Sequence, residues 1–312
     1  MNKKSYFFID DVIWVFRDLH RERPASLFDN AYMKGLKEAH DAYGLKVQLN
    51  VFYRTDFYYG MDEFSLAEMT DAYKEEWQAN KDWIKFGFHS KQEFPDYPFV
   101  NADYDDVAQC YDMTLKEIIR FAGEGMFSVA VVPHWLPMSK DGCRALSDRG
   151  IRLIGVSYGD KEAYNGDPTA LPYGHAQRLL NNRKPETGIF TRVSPDAAIT
   201  RSICSYNHLN TEEVEKTFTN FDSIPDPELN LRYKRMCNGP ILNLIKKEDV
   251  RQWVLDCAKG DLLSSATHEQ YFYKDYLAYQ PDYMEKIMIM AKATNELGYE
   301  YMFWDEIIDE VM

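Results

Sequence analysis

The sequence predicts an α/β fold: an irregular (β/α)7-8 barrel of parallel strands that carries an inserted lobe of loops and hairpins. Two observations predict it. Short apolar runs alternate with longer amphipathic ones along most of the 312 residues, and one central stretch breaks that rhythm. The chain reads as a single domain over 1–312, with the lobe at 158–206 inside it.

The elements follow in order. Residues 6–10 (YFFID) form a first buried strand, and 29–43 a helix with Asp29 as its cap and Gly44 as its stop. The run 46–53 is the next strand. A helix over 65–82 follows, opened by Ser65 and Glu68 at capping-box spacing. Strands are expected at 84–89, 128–134 and 151–157, separated by helices at 104–123 and 139–149. The segment 158–206 is rich in Gly, Pro, Asn and Thr and reads as the lobe. Beyond it the rhythm resumes with strands at 240–245 and 261–267 around a helix at 247–259. A helix over 281–297 opens on Pro281 and stops at Gly298, before a last short strand at 299–304.

Composition bounds the function. Thirty-six basic and fifty acidic side chains leave a net charge of −14, which repels phosphate backbones and anionic lipid, so no nucleic acid and no membrane partner is expected. No apolar run approaches the roughly 18 residues of a membrane span. Asp10 and Asp11 cut the first apolar run too short for a secretory signal, so a cytoplasmic location is expected. The five cysteines are scattered and contain no Cys-x-x-Cys pair, which argues against a disulfide framework or a cysteine zinc site. Twenty-two tyrosines and six tryptophans suit stacking on sugar rings, and equally a tyrosine-rich core.

Parallel α/β barrels place their chemistry at the carboxyl ends of the strands. Here those ends carry Asp10-Asp11, Arg54, His89-Ser90, His134-Trp135 and His268-Glu269. Three of the seven histidines and an adjacent pair of aspartates thus fall where four strands stop. Carboxylates and imidazoles converging on one rim suit a divalent metal, and an aspartate pair can divide into one ligand and one general base.

In motif order these residues resemble the polysaccharide deacetylase (NodB-homology) family. Its opening motif ends in two aspartates, here Phe8-Ile9-Asp10-Asp11. Its second, His-Ser/Thr-x-x-His, reads His89-Ser90-Lys91-Gln92-Glu93, with glutamate in place of the second histidine. Its closing Leu-x-His matches Ala266-Thr267-His268 in the histidine. The third motif's arginine is absent from the segment around Pro133-His134-Trp135, and the fourth motif's Asp-Trp has no clear counterpart.

The resemblance implies a metal-dependent hydrolase, a carbohydrate deacetylase cleaving an N- or O-acyl group of a small-molecule or oligosaccharide substrate. It implies Asp10 as base, Asp11 and His89 as metal ligands and His268 as acid. The metal would be zinc, or nickel, cobalt or iron. The third ligand is expected at Glu93, which an i to i+4 spacing would bring beside His89, with His134 as the alternative. His134, Trp135, Arg54 and Glu269 are expected to face the substrate. Two other readings stand beside this one: a non-catalytic glycan-binding barrel, and a metal-free glycosidase using Asp10 and Glu269.

Overall fold

A computed structural model describes residues 3–55, 63–93, 98–99, 102–136, 138–156, 208–209, 223–276 and 278–308. The lobe expected at 158–206 lies outside them, as does Cys204. The described strands are β1 Lys4–Val12, β2 Val47–Phe52, β3 Ile84–Ser90, β4 Ala130–Val131, β5 Leu153–Val156, β6 Ser223–Asp226, β7 Leu231–Arg235, β8 Leu262–His268 and β9 Glu300–Tyr301. The helices are α1 Trp14–Glu22, α2 Ala31–Tyr43, α3 Lys74–Ala79, α4 Tyr104–Ala122, α5 Lys140–Asp148, α6 Val250–Cys257 and α7 Tyr283–Glu296. Among the described residues no helix is long and apolar enough to cross a membrane.

The strands form two sheets. One runs β3-β2-β1-β8, all parallel, with β9 joining the first residues of β1. The other runs β4-β5-β7-β6, parallel except for the hairpin of β6 and β7. Short bridges join β3 to the segment around β4 on one side, and the segment after β7 to β8 on the other. Phe86 pairs with Phe127, and His134 N–H donates to the His89 carbonyl at 3.0 Å. On the other side Ile241 pairs with Ala266.

Both faces of β1 are covered, which is why it reads as an unbroken apolar run. Phe7 and Ile9 pack outward with Phe16 and Leu19 of α1 and Leu36 of α2. Tyr6 and Phe8 point the other way, into a cluster with Ala130, Val132, Leu153, Ala266 and Trp304 drawn from both sheets. Each of these large side chains contributes about 1.5–3 kcal/mol by leaving water. Two residues on from Phe8 on the same face stands Asp10.

Several expected elements differ in extent. The run 65–82 is not one helix. Its capping box of Ser65 and Glu68 opens only a 3-10 turn over Leu66–Glu68, and Thr70 Oγ1 then accepts from Ala72 N–H. That side-chain bond satisfies the backbone outside a helix, so α3 starts only at Lys74. Asp29 belongs to a 3-10 turn, and Asn30 caps α2 by accepting from Tyr32 and Met33. Gly44 ends α2 in a left-handed conformation, as expected. Residues 240–245 make a single bridge and a 3-10 turn, since Pro240 has no N–H to extend a ladder. β4 is cut to two residues before Pro133 by the same rule. Pro281 precedes the cap of α7, which begins at Tyr283. The helix α1 and the β6–β7 hairpin were not expected.

Candidate metal centre

β1 pairs with β8 in unbroken register to Asp10 opposite His268, but its register with β2 jumps from Ile9 to Val12. The one extra residue on β1 makes a bulge, and Asp11 sits there with φ 62°. Left-handed backbone is uncommon outside glycine, and aspartate is among the side chains that tolerate it best. The bulge solves a geometric problem. Adjacent residues of a regular strand face opposite ways, yet here both carboxylates reach one buried rim.

On that rim three donors converge: Asp11, His89 and His134, all buried. His89 Nε2 lies 3.1 Å from Asp11 Oδ1 and 3.1 Å from His134 Nδ1. The third edge, His134 Nδ1 to Asp11 Oδ1, is 3.4 Å. Three ligand atoms held at tetrahedral angles by bonds of about 2.0–2.1 Å stand roughly 3.3 Å apart, so the triangle fits a zinc-sized ion. Each imidazole also turns its far nitrogen to a backbone carbonyl. His89 Nδ1 donates to Val132 at 2.6 Å, and His134 Nε2 donates to Glu93 at 2.9 Å. Those bonds fix the tautomers and leave His89 Nε2 and His134 Nδ1 as the nitrogens facing the centre.

The electrostatics follow from the packing. Burial alone would push the Asp11 carboxyl up, but its contacts with the His134 and His89 imidazoles hold it well below the usual carboxylate range. Burial presses both imidazoles toward neutrality. It wins at His134, whose pKa is lowered, while Asp10 and Asp11 together raise that of His89. A cation entering the triangle would replace the protons shared there, and the donor set suits one.

Asp10 lies just beyond the triangle, 4.0 Å from His89 Nδ1. Burial raises its pKa, opposed by the charge of His89. Asn50 Nδ2 donates to its Oδ1 at 2.6 Å, and Gln48 Nε2 in turn donates to Asn50 Oδ1 at 2.8 Å. These amides fit because position 87 is glycine: a Cβ there would run into Asn50 Oδ1 and Gln48 Nε2.

The last residue of β8 and those that follow it have separate tasks. His268 Nδ1 lies 3.0 Å from Asn243 Oδ1, which accepts its proton and leaves Nε2 for other partners. Glu269, expected to face substrate, is fully buried. Its carboxylate accepts Ile13 and Trp14 N–H at 2.7 and 2.8 Å and Val15 N–H at 2.8 Å. It therefore caps α1, whose own cap residue, Ile13, offers no side-chain acceptor. Burial nonetheless raises its pKa to about 7. Gln270 Nε2 donates to Asp11 Oδ2 at 2.6 Å.

Of the remaining expected residues, Glu93 meets the centre through its backbone carbonyl, and its carboxylate is not among the three converging donors. His134, expected beside the substrate, stands in that trio. Trp135 follows it in a left-handed turn with φ 59°. Arg54 is exposed and donates to Gln92 at 2.5 Å. Asn50, Asn243 and Gln270 were missed. Asn50 left one signal, a polar residue at alternate spacing with Gln48 inside an otherwise apolar strand.

No protein-family model matches the chain. No curated protein matches it. Among solved structures, it is similar to the Xyl-CE4 domain of a multidomain xylanase from the hindgut metagenome of Trinervitermes trinervoides. There the identity is 11%, the match covers 99% of this chain and 91% of that one, and the TM-score is 0.42. It is also similar to the 4-alpha-glucanotransferase of Thermococcus litoralis at 10% identity, with 99% of this chain and 41% of that one covered and a TM-score of 0.45. At such levels the likenesses carry no functional argument, which rests on the residues of the site.

Proposed function

We propose that the chain is a metal-dependent hydrolase that removes acyl groups from a carbohydrate, with Asp11, His89 and His134 as the ligands of a divalent cation, zinc in the first place. The observation that carries this reading is the Asp11–His89–His134 triangle, with each imidazole's outer nitrogen tied to a carbonyl. His134 takes the third position for which the spacing of the second motif had suggested Glu93. The carbohydrate part rests on the order of the Asp10-Asp11, His89-Ser90 and His268 motifs. We also read the two sheets as arcs of one irregular barrel, on the strength of the bridges between β3 and the segment around β4 and of the bonds from Asn238, just beyond β7, to Leu262 and Ser264 of β8.

Bound there, a divalent cation supplies Lewis acidity and makes a water molecule acidic near neutral pH. The protein's own groups do the rest. Asp10, oriented by Asn50 and with its pKa raised by burial, accepts the proton of the attacking water. His268, its Nδ1–H held by Asn243, presents Nε2 to protonate the departing amine or alkoxide. A glycosidase built on Asp10 and Glu269 is disfavoured, because Glu269 is committed to the first turn of α1.

Metal analysis of the purified protein, joined to acetate release from acetylated xylo-oligosaccharides and N-acetylglucosamine oligomers, tests the proposal. Near-stoichiometric metal is expected, with activity lost to a chelator and restored by Zn2+ or Co2+. A protein that carries no metal, and whose behaviour a chelator does not change, would overturn it. Metal without acetate release from either substrate would leave the glycan-binding reading in its place.

A further inference from the structure

Beside the triangle lies a side chain that the proposed chemistry does not use. Gln270 belongs to the 3-10 turn Glu269–Phe272 that follows β8, and it is 5% exposed. Its Nε2 donates to Asp11 Oδ2 at 2.6 Å, while Asp11 Oδ1 faces both imidazoles. The amide must present its nitrogen, since its oxygen would meet the carboxylate with like partial charge. In that orientation Gln270 Oε1 is buried and has no hydrogen-bond partner. The side chain thus leaves one of its own polar atoms unsatisfied while it holds the aspartate. The turn beneath it is firm. Gln270 carbonyl accepts from Tyr273 N–H at 3.1 Å, and Tyr271 carbonyl accepts from Gln280 N–H at 2.8 Å.

Asp11 needs such a partner. It stands on a bulge in left-handed backbone, outside the regular ladder that fixes most side chains of β1. A carboxylate there has two oxygens to offer a cation, and nothing in the strand itself selects between them. We propose that Gln270 is a positioning residue for Asp11: it occupies Oδ2 and so presents Oδ1 alone, making Asp11 a one-oxygen ligand within a low-coordinate site. This rests on the metal reading above and adds the residue that sets how the aspartate binds.

The test uses the full-length chain, stripped of metal, in wild-type and Gln270→Met forms. Methionine keeps the length and unbranched shape but cannot donate. Zn2+ affinity is measured by competition with a chromophoric chelator, and the visible ligand-field spectrum is recorded with Co2+. The expected result is about a 10–100-fold loss of Zn2+ affinity, the usual effect of removing an outer-shell partner. The Co2+ absorption should also weaken as Asp11 engages through both oxygens and the coordination number rises. Should Gln270→Met fail to fold, Gln270→Asn gives the same comparison, because its amide is one methylene too short to reach.

Unchanged affinity and spectrum in a folded variant would overturn the inference, including where the metal-free thermal midpoint falls, since that would mark a purely structural role. The two proposals fail separately. A wild-type chain that binds neither ion removes the metal reading, whereas tight wild-type binding with no effect at position 270 removes only this one.

Discussion

Asp10 and His268 are the last residues in register across the parallel ladder that joins β1 to β8. Each is held from behind by an asparagine amide, Asn50 for the carboxylate and Asn243 for the imidazole. The proposed base and acid thus stand on neighbouring strand ends, and the proposed metal ligands begin one residue further along the chain.

The two aspartates should separate cleanly by mutation. Asp10→Asn is expected to keep its metal and to lose turnover by about 10²–10⁴-fold, the range for general-base catalysis. Asp11→Asn should instead lose the metal, because it removes the charged member of the triangle. Metal content and acetate release, measured on the same samples, check both. Metal loss from Asp10→Asn would exchange the two roles.

Asn243 governs His268 through one hydrogen bond. Asn243→Leu should lower turnover roughly tenfold or more by freeing the ring. Asn243→Asp keeps an acceptor in the same place and should retain more turnover than Asn243→Leu. Acetate release from Asn243→Leu equal to that of the wild type would sever this link.

Glu269 makes stability depend on pH in a defined direction. Its pKa rises from 4.5 to about 7 on folding, so the native state holds its proton more tightly than the unfolded chain does. The associated stability is present below about pH 4.5 and disappears as pH rises through about 7, a swing of about 3 kcal/mol for a fully buried group. Glu269→Gln removes that titration. Denaturant unfolding of wild type and variant from pH 4.5 to 8 should show the difference between them changing by that order, and parallel curves would refute the assignment.

Position 87 should tolerate nothing larger than glycine while Asn50 and Gln48 remain. A Cβ would lie 2.6 Å from Gln48 Nε2 and closer still to Asn50 Oδ1. Gly87→Ala should cost about 1–3 kcal/mol, as overpacking does, and should disturb the Asp10–Asn50 bond. Gly87→Ala with Asn50→Ser should recover stability but not turnover. Equilibrium unfolding together with acetate release would reveal either outcome.

The rim of the site was legible because strand periodicity and histidine placement are local signals. Residues 10, 11, 89, 134 and 268 stand at strand ends in the sequence and meet around one site in the structure. The third converging donor was harder to read. The spacing from His89 to Glu93 favours a shared helical face, but His134 is brought in by a backbone bond from its N–H to His89 and by the turn through Trp135 and Leu136. The first joins positions 45 residues apart, and the second is a left-handed turn at residues that are not glycine, so neither shows in the local sequence pattern. The same applies to α1. Its start carries no local cap, because the acceptor is Glu269 from the far end of the chain. Short strands also escaped: β6 and β7 lie beyond the stretch that breaks the α/β rhythm, and their hairpin has no strong apolar alternation.

The bond between Asp11 and Gln270 spans 259 positions of sequence. At about 5–20 residues per second on the ribosome, the interval between synthesis of its two ends is about 13–52 s. Throughout that interval the aspartate has been made but its clamp, and the turn that carries it, do not yet exist. The three converging donors at 11, 89 and 134 are therefore all made well before the amide that holds the first of them. Tight loading with a cation in the cell is expected only once the turn after β8 has been made, and copies terminated before residue 270 should bind the ion more weakly.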